Sequence, residues 1–134
     1  MIKGKLILIP TVIGENTEKQ NIPPIIFNTI KKTNIFIVEN IRSARRFIKK
    51  IYPAKDIEQT MFYAYGKHDS IDYEQDLLLH ILAGEDVGLI SEAGTPSVAD
   101  PGSKIVEYAH NFNIIVTPLV GPSSILLALM ASGM

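Results

Sequence analysis

The amino-acid sequence predicts an α/β fold, a parallel five-stranded sheet with helices on both faces. Three observations lead there. Five short apolar runs rich in Ile, Leu, Val and Phe recur along the chain. Segments with helical periodicity lie between them, long enough to cross from one strand to a parallel neighbour. The order, strand then helix repeated five times, is that of sheets built from crossover units.

Each element has a local reason. Residues 6–9 read as a buried strand stopped by Pro10. Pro23 and Pro24 open a helix to about residue 32, since proline suits a first turn. Residues 35–38 form the second strand. Over 41–51, Ala44, Phe47, Ile48 and Ile51 share one helix face, and Pro53 ends the run. Residues 61–64 are the third strand. Asp69 and Ser70 offer an N-cap to the next helix, with Asp72 and Glu74 in its first turn. Leu77, Leu78, Ile81 and Leu82 give that helix its buried face, and Gly84 its C-cap. Residues 87–90 are the fourth strand. Asp100 and Pro101 start a helix to about residue 110, residues 114–116 are the fifth strand, and a last apolar helix follows Ser123.

Bulk properties narrow the functional classes. The 134 residues suit one compact domain, and 46% hydrophobic with 20% charged residues is an ordinary globular composition. A net charge of −1 gives no global signal for nucleic acid, so that reading rests on a local patch. The chain has no cysteine, which excludes disulfides and thiolate metal sites. No apolar run reaches membrane-spanning length. The expectation is a cytoplasmic protein without a membrane or metal partner. The apolar ending at Ala131-Ser132-Gly133-Met134 suggests further chain beyond it. Residues 1–118 are taken as an N-terminal α/β domain and 119–134 as the start of a linker helix into a missing C-terminal domain.

Ligands of open parallel sheets bind outside the carboxyl ends of the strands. Three loops leave such ends with unusual chemistry: residues 10–16, 91–102 and 118–124. The second reads Ser91-Glu92-Ala93-Gly94-Thr95-Pro96-Ser97, then Ala99-Asp100-Pro101-Gly102. Its small residues admit a ligand close to the backbone. Glu92 can accept from an amine or ribose hydroxyls, and Thr95 adds a hydroxyl. The third loop opens a helix whose free N–H groups suit a polar ligand. One Gly/Pro/Ser-rich connection is usually only a turn; two on one sheet edge suggest a site.

Phosphate loops of the Walker type, dinucleotide-binding Gly-x-Gly-x-x-Gly and the Gly-x-Ser-x-Gly elbow are all missing. His68, His80 and His110 lack metal-ligand spacing; His80 and His110 read as surface or boundary residues, and His68 lies near the proposed ligand edge. Arg42, Arg45, Arg46, Lys49 and Lys50 line the face of the second helix opposite its apolar side. Such a stripe is commonly just a solvated face, and it can also hold RNA phosphates.

At Leu89-Ile90-Ser91-Glu92-Ala93-Gly94-Thr95-Pro96 the sequence resembles bacterial ribosomal RNA cytidine 2′-O-ribose methyltransferases. Pro118-Leu119-Val120-Gly121-Pro122-Ser123-Ser124 resembles their next motif, Val38-Glu39-Asn40-Ile41-Arg42 a variant of their acidic segment, and His68-Asp69 their histidine before the third helix. The resemblance covers essentially the whole chain. It implies the tetrapyrrole-methylase class, in which two α/β domains enclose S-adenosylmethionine and a homodimer is typical. It places Ile13, Ser91, Glu92, Ala93, Gly94, Thr95, Pro96, Ser124 and Ile125 at the cofactor. Departures occur: Ile13-Gly14-Glu15-Asn16 in the first loop, Glu92 for the commoner Asp, and Asn40 for Asp.

The implied reaction is methylation of a cytidine 2′-hydroxyl in small-subunit ribosomal RNA, with ribosomal RNA or the small subunit as partner. Removal of the hydroxyl proton falls to Glu39 or His68 as candidate bases, and Arg42, Arg45, Arg46 and Lys49 are the RNA-binding candidates. The alternatives are a methylase of a tetrapyrrole or other small molecule, or a non-catalytic half-enzyme; the chain alone is expected to be inactive.

Overall fold

The computed structural model describes residues 3–11, 23–66, 71–90, 101–119 and 133. It contains a five-stranded, all-parallel sheet in the order β3-β2-β4-β1-β5. The strands are β1 (Lys5–Ile9), β2 (Ile35–Val38), β3 (Met61–Ala64), β4 (Val87–Ile90) and β5 (Ile115–Pro118). The helices are α1 (Pro24–Lys32), α2 (Ile41–Ile51), α3 (Leu79–Leu82) and α4 (Pro101–Asn111). The expected α/β class is therefore present, with every strand run in its expected place to within two residues.

The strand order determines which helices share a face. Right-handed crossovers from β1 to β2 and from β2 to β3 travel one way across the sheet, and those into β4 and β5 travel the other way. The packing follows this division. Ile26 and Ile30 of α1 and Ala44, Ile48 and Ile51 of α2 cover Ile7, Ile9, Phe36 and Val38. Leu77 and Ile81, with Ile105, Val106 and Ala109 of α4, cover the alternate residues Leu6, Leu8, Ile35, Ile37 and Leu89. The central strands are buried on both faces, which is why their sequences are continuous apolar runs.

Two expectations at element ends need correction. The third helix opens as a wide π-helical segment, Glu74–Leu78, before α3. Asp72 precedes it as a cap instead of sitting in its first turn. The Asp72 Oδ1 accepts from the Gln75 N–H at 3.0 Å, and the Asp72 N–H donates to the Asp76 carboxylate at 3.0 Å. Asp69 and Ser70, the expected caps, lie outside the described residues. Strand β5 begins at Ile115, one residue late, and Ile115 is 66% exposed because β5 is a sheet edge. Gly84 does close α3 in the left-handed region, at φ 89°.

Candidate functional site

The register aligns the strand ends that carry the unusual loops. Ile9 lies beside Ile90, Ile90 beside Val38, and Leu8 beside Pro118. The Leu119 N–H continues the β5 ladder by donating to the Leu8 carbonyl at 3.0 Å. The connection leaving β1 goes toward β2 on one face, while the one leaving neighbouring β4 goes toward β5 on the other. Adjacent strands whose connections diverge define a topological switch point, where open α/β sheets hold their ligands.

A small, solvent-open pocket lies at this edge. Among the described residues it is lined by Thr11 after β1, Ile90 of β4, Val38, Glu39 and Asn40 after β2, and Ser43, Ala44 and Phe47 of α2. The floor is apolar because it consists of strand termini, and the rim is polar because α2 starts there. Asn40 caps that helix, its side-chain oxygen accepting from the Ser43 N–H at 2.9 Å. Glu39 is half-buried between β2 and the cap.

Of the expected site residues, the structure places Glu39 in this pocket. Ile13, His68, Ser91, Glu92, Ala93, Gly94, Thr95, Pro96, Ser124 and Ile125 lie outside the described residues. The loops that hold the cofactor candidates depart from or return to the strand ends around the pocket. Arg42, Arg45, Arg46, Lys49 and Lys50 are all exposed on the outer face of α2. No carboxylate among the described residues pairs with any of the five. Arg42 stands at the pocket end of the stripe. Lys49 is turned to structural use at the other end, donating to the Pro53 and Lys55 carbonyls at 2.5 and 3.3 Å.

The histidines divide. His80 forms a bonded chain, with Nε2 3.0 Å from the Tyr63 hydroxyl and Nδ1 3.1 Å from Glu85 Oε1. Burial, then the Asp76 and Glu85 carboxylates, raise the Tyr63 pKa. His110 is exposed on α4. Among the described residues, no group of three His, Cys, Asp or Glu is placed to hold a metal ion, and no helix is long and apolar enough to cross a membrane.

Lys55 was not anticipated. Only 6% exposed, it donates to the Ile30 carbonyl at 2.9 Å, Thr33 at 2.5 Å, Lys31 at 3.3 Å and the Asn34 side chain at 3.3 Å. These oxygens mark the C-terminal end of α1 and the turn into β2, opposite the pocket. Burial lowers the Lys55 pKa. A lysine after a proline turn carries no sequence signal for this role, because its partners lie 21 to 25 positions earlier.

No family model matches the chain. Curated proteins named ribosomal RNA small subunit methyltransferase I do. The chain is 28% identical over 131 residues to that of Synechocystis, covering 98% of this chain and 44% of the relative. It is 32% identical over 130 residues to that of Bacillus subtilis, covering 97% and 42%. The Hydrogenobaculum protein is 34% identical over 131 residues, covering 97% and 54%. The chain thus spans about half the length of the curated relatives it matches.

Proposed function

We propose that this chain is the N-terminal part of an S-adenosylmethionine-dependent methyltransferase of the tetrapyrrole-methylase class, one that methylates a cytidine ribose hydroxyl in small-subunit ribosomal RNA. The observation that carries the reading is the switch point between β1 and β4. It gathers the first, fourth and fifth strand ends, from which the three loops with ligand-binding chemistry depart. The similarity to proteins named as ribosomal RNA methyltransferases supports the same activity and substrate.

Such a cofactor would draw its donors from the loops that leave these strand ends. A strand-end crevice with an apolar floor and a polar rim can take a ligand that carries both an adenine ring and a charged amino-acid tail. Glu92, following β4, would accept from the amine or ribose hydroxyls, with Thr95 beside it. Ile13 and Ile125 would pack the apolar part, while Ser91, Ala93, Gly94, Pro96 and Ser124 shape the backbone around it. When bound, S-adenosylmethionine supplies an electrophilic methyl group on sulfur.

The remaining work belongs to the chain: to hold the ribose hydroxyl in line and take its proton. Glu39 is the first candidate for the proton, because it lines the pocket. His68 is the second. Arg42, Arg45 and Arg46 would carry the RNA backbone past the pocket mouth, with Lys49 at the far end of the stripe bonded to the Pro53 and Lys55 carbonyls. In this reading residues 1–118 form the first domain, 119–134 begin the linker, and the full protein works as a cytoplasmic homodimer. A second domain closes the other side of the cofactor.

Calorimetric titration of S-adenosylmethionine into the chain, and into a form extended to the relatives' length, tests the proposal. The extended form should bind, and Glu92→Ala with Thr95→Val should abolish binding. A folded extended form that does not bind overturns the cofactor assignment.

A further inference from the structure

The basic face of α2 is joined to an aromatic one. The Arg45 guanidinium lies over the Phe62 ring, 5.5 Å from its centroid. Phe62 belongs to the edge strand β3, and its ring stacks on Phe36 of β2, with centroids 5.7 Å apart and planes inclined by 20°. Phe36 is fully buried, Phe62 partly covered and Arg45 exposed. A row of planar groups therefore runs from the core to the surface and ends on a cation. Two further cations share this helix face, Arg42 on the pocket side of Arg45 and Arg46 on the other.

We infer that Arg45 and Phe62 form a stacking platform for an unpaired base of an RNA strand whose phosphates lie along the α2 stripe. The inference rests on the RNA reading above and deepens it by naming the RNA conformation. Phosphate binding alone needs only charges, and flexible lysines serve for that. A guanidinium held against an aromatic ring is a preorganised flat surface of the kind on which splayed bases stack. A duplex keeps its bases inside and cannot use such a surface. Charge complementarity selects a polyanion, since α2 contains no acidic residue and no described carboxylate pairs with its cations. A membrane surface fits poorly, because Ala44, Ile48 and Ile51, the apolar face of α2, are already buried in the core.

The test is fluorescence anisotropy of the form extended to the relatives' length with a labelled single-stranded oligoribonucleotide and with a hairpin duplex, each across a series of salt concentrations. Wild type should prefer the single strand. Arg45→Lys keeps the charge and removes the plane; Phe62→Leu keeps the apolar bulk and removes the ring. Each should weaken single-strand binding about tenfold without changing its salt dependence or duplex binding. Arg42→Ala with Arg46→Ala should instead flatten the salt dependence, by about 0.7 in slope per lost contact.

If Arg45→Lys binds the single strand as wild type does while the Arg42/Arg46 variant flattens the slope, the platform is overturned and the RNA reading stands. No binding of either RNA by wild type overturns both. Tighter binding to phosphatidylserine vesicles than to either RNA also overturns the platform. Arg45→Lys lies on an exposed position, so the test holds even if Phe62→Leu disturbs the packing on Phe36.

Discussion

The Lys55 ammonium donates to the Ile30 carbonyl at 2.9 Å, so a side chain 25 positions downstream closes the C-terminal end of α1. The last carbonyls of a helix have no partner within it. Here one cation serves the Ile30 and Lys31 carbonyls and then the Thr33 carbonyl of the turn that follows.

Replacing Lys55 by Met should therefore destabilise the protein. Buried acceptors left without a donor cost about 1–3 kcal/mol. Urea unfolding should show a lower midpoint with an unchanged slope. The effect should also depend on pH. Burial holds the Lys55 pKa below its ordinary 10.5. Below the folded pKa both states carry the proton, and the cost of burying the charge is borne in full. Between the folded pKa and 10.5 the unfolded chain binds more protons, so stability due to Lys55 rises with pH. The gap between wild type and Lys55→Met should widen across that window.

Two glycines should differ in their response to alanine. A Cβ on Gly4 would lie 1.9 Å from the Glu85 carbonyl oxygen, a backbone atom fixed by the turn into β4. A Cβ on Gly88 would meet the Ile9 Cδ1 and Phe36 Cδ1 atoms at 2.9 Å, and the Ile9 terminus can rotate away. Gly88→Ala should cost about 1–3 kcal/mol, the usual range for overpacking, and Gly4→Ala more. Thermal melts of the two variants side by side check the order.

Asn40 caps α2 at the pocket rim, so Asn40→Ala should cost about 1 kcal/mol. Asn40→Asp keeps the acceptor and adds a negative charge at the helix N-terminus, which should leave stability unchanged or raise it by about 0.3–1 kcal/mol. Urea midpoints of both variants, with binding measured in parallel, separate the capping role from any contact with a ligand.

Tyr63 and Tyr108 should ionise late. Burial is the first cause in both, followed by carboxylates: Asp76 and Glu85 at Tyr63, Glu74 and Asp72 at Tyr108. Each phenol keeps its proton in the folded state beyond its ordinary pKa of 10.0. The stability they contribute is complete below that value and lost as pH rises above it. Absorbance titration of the folded protein should show a lagging tyrosine fraction, and Tyr63→Phe should reduce it by one phenol. Equal, unshifted titration of all tyrosines would contradict this.

Most of the elements were legible in the sequence because the core strands are uninterrupted apolar runs and α2 has a clean amphipathic period. The order β3-β2-β4-β1-β5 was not, since nothing local tells β1 to pair with β4 in preference to β2. The π-helical opening before α3 was hidden because its apolar residues fit an ordinary helical period equally well. At the site, Glu39 was singled out only through the resemblance of Val38-Glu39-Asn40-Ile41-Arg42 to an acidic segment, and the fold sets it on the pocket lining. The Arg45–Phe62 contact was not, because it joins a helix to an edge strand through a pairing that only the tertiary fold creates. Lys55 escaped for the same reason.

The strand order has a consequence for how the chain comes off the ribosome. Both neighbours of β1, β4 and β5, are made later, and the Lys5 N–H reaches its acceptor on Asp86 across 81 residues. Strands β2 and β3 can pair as soon as they emerge, but β1 must wait, its apolar residues unsatisfied, until β4 and β5 are made. Closing so long a loop is also slow. The pocket floor, where Val38 meets Ile90, therefore forms only after β4 has emerged. Nascent chains stalled before residue 87 would carry a sticky, unpaired N-terminal strand and no strand-end pocket.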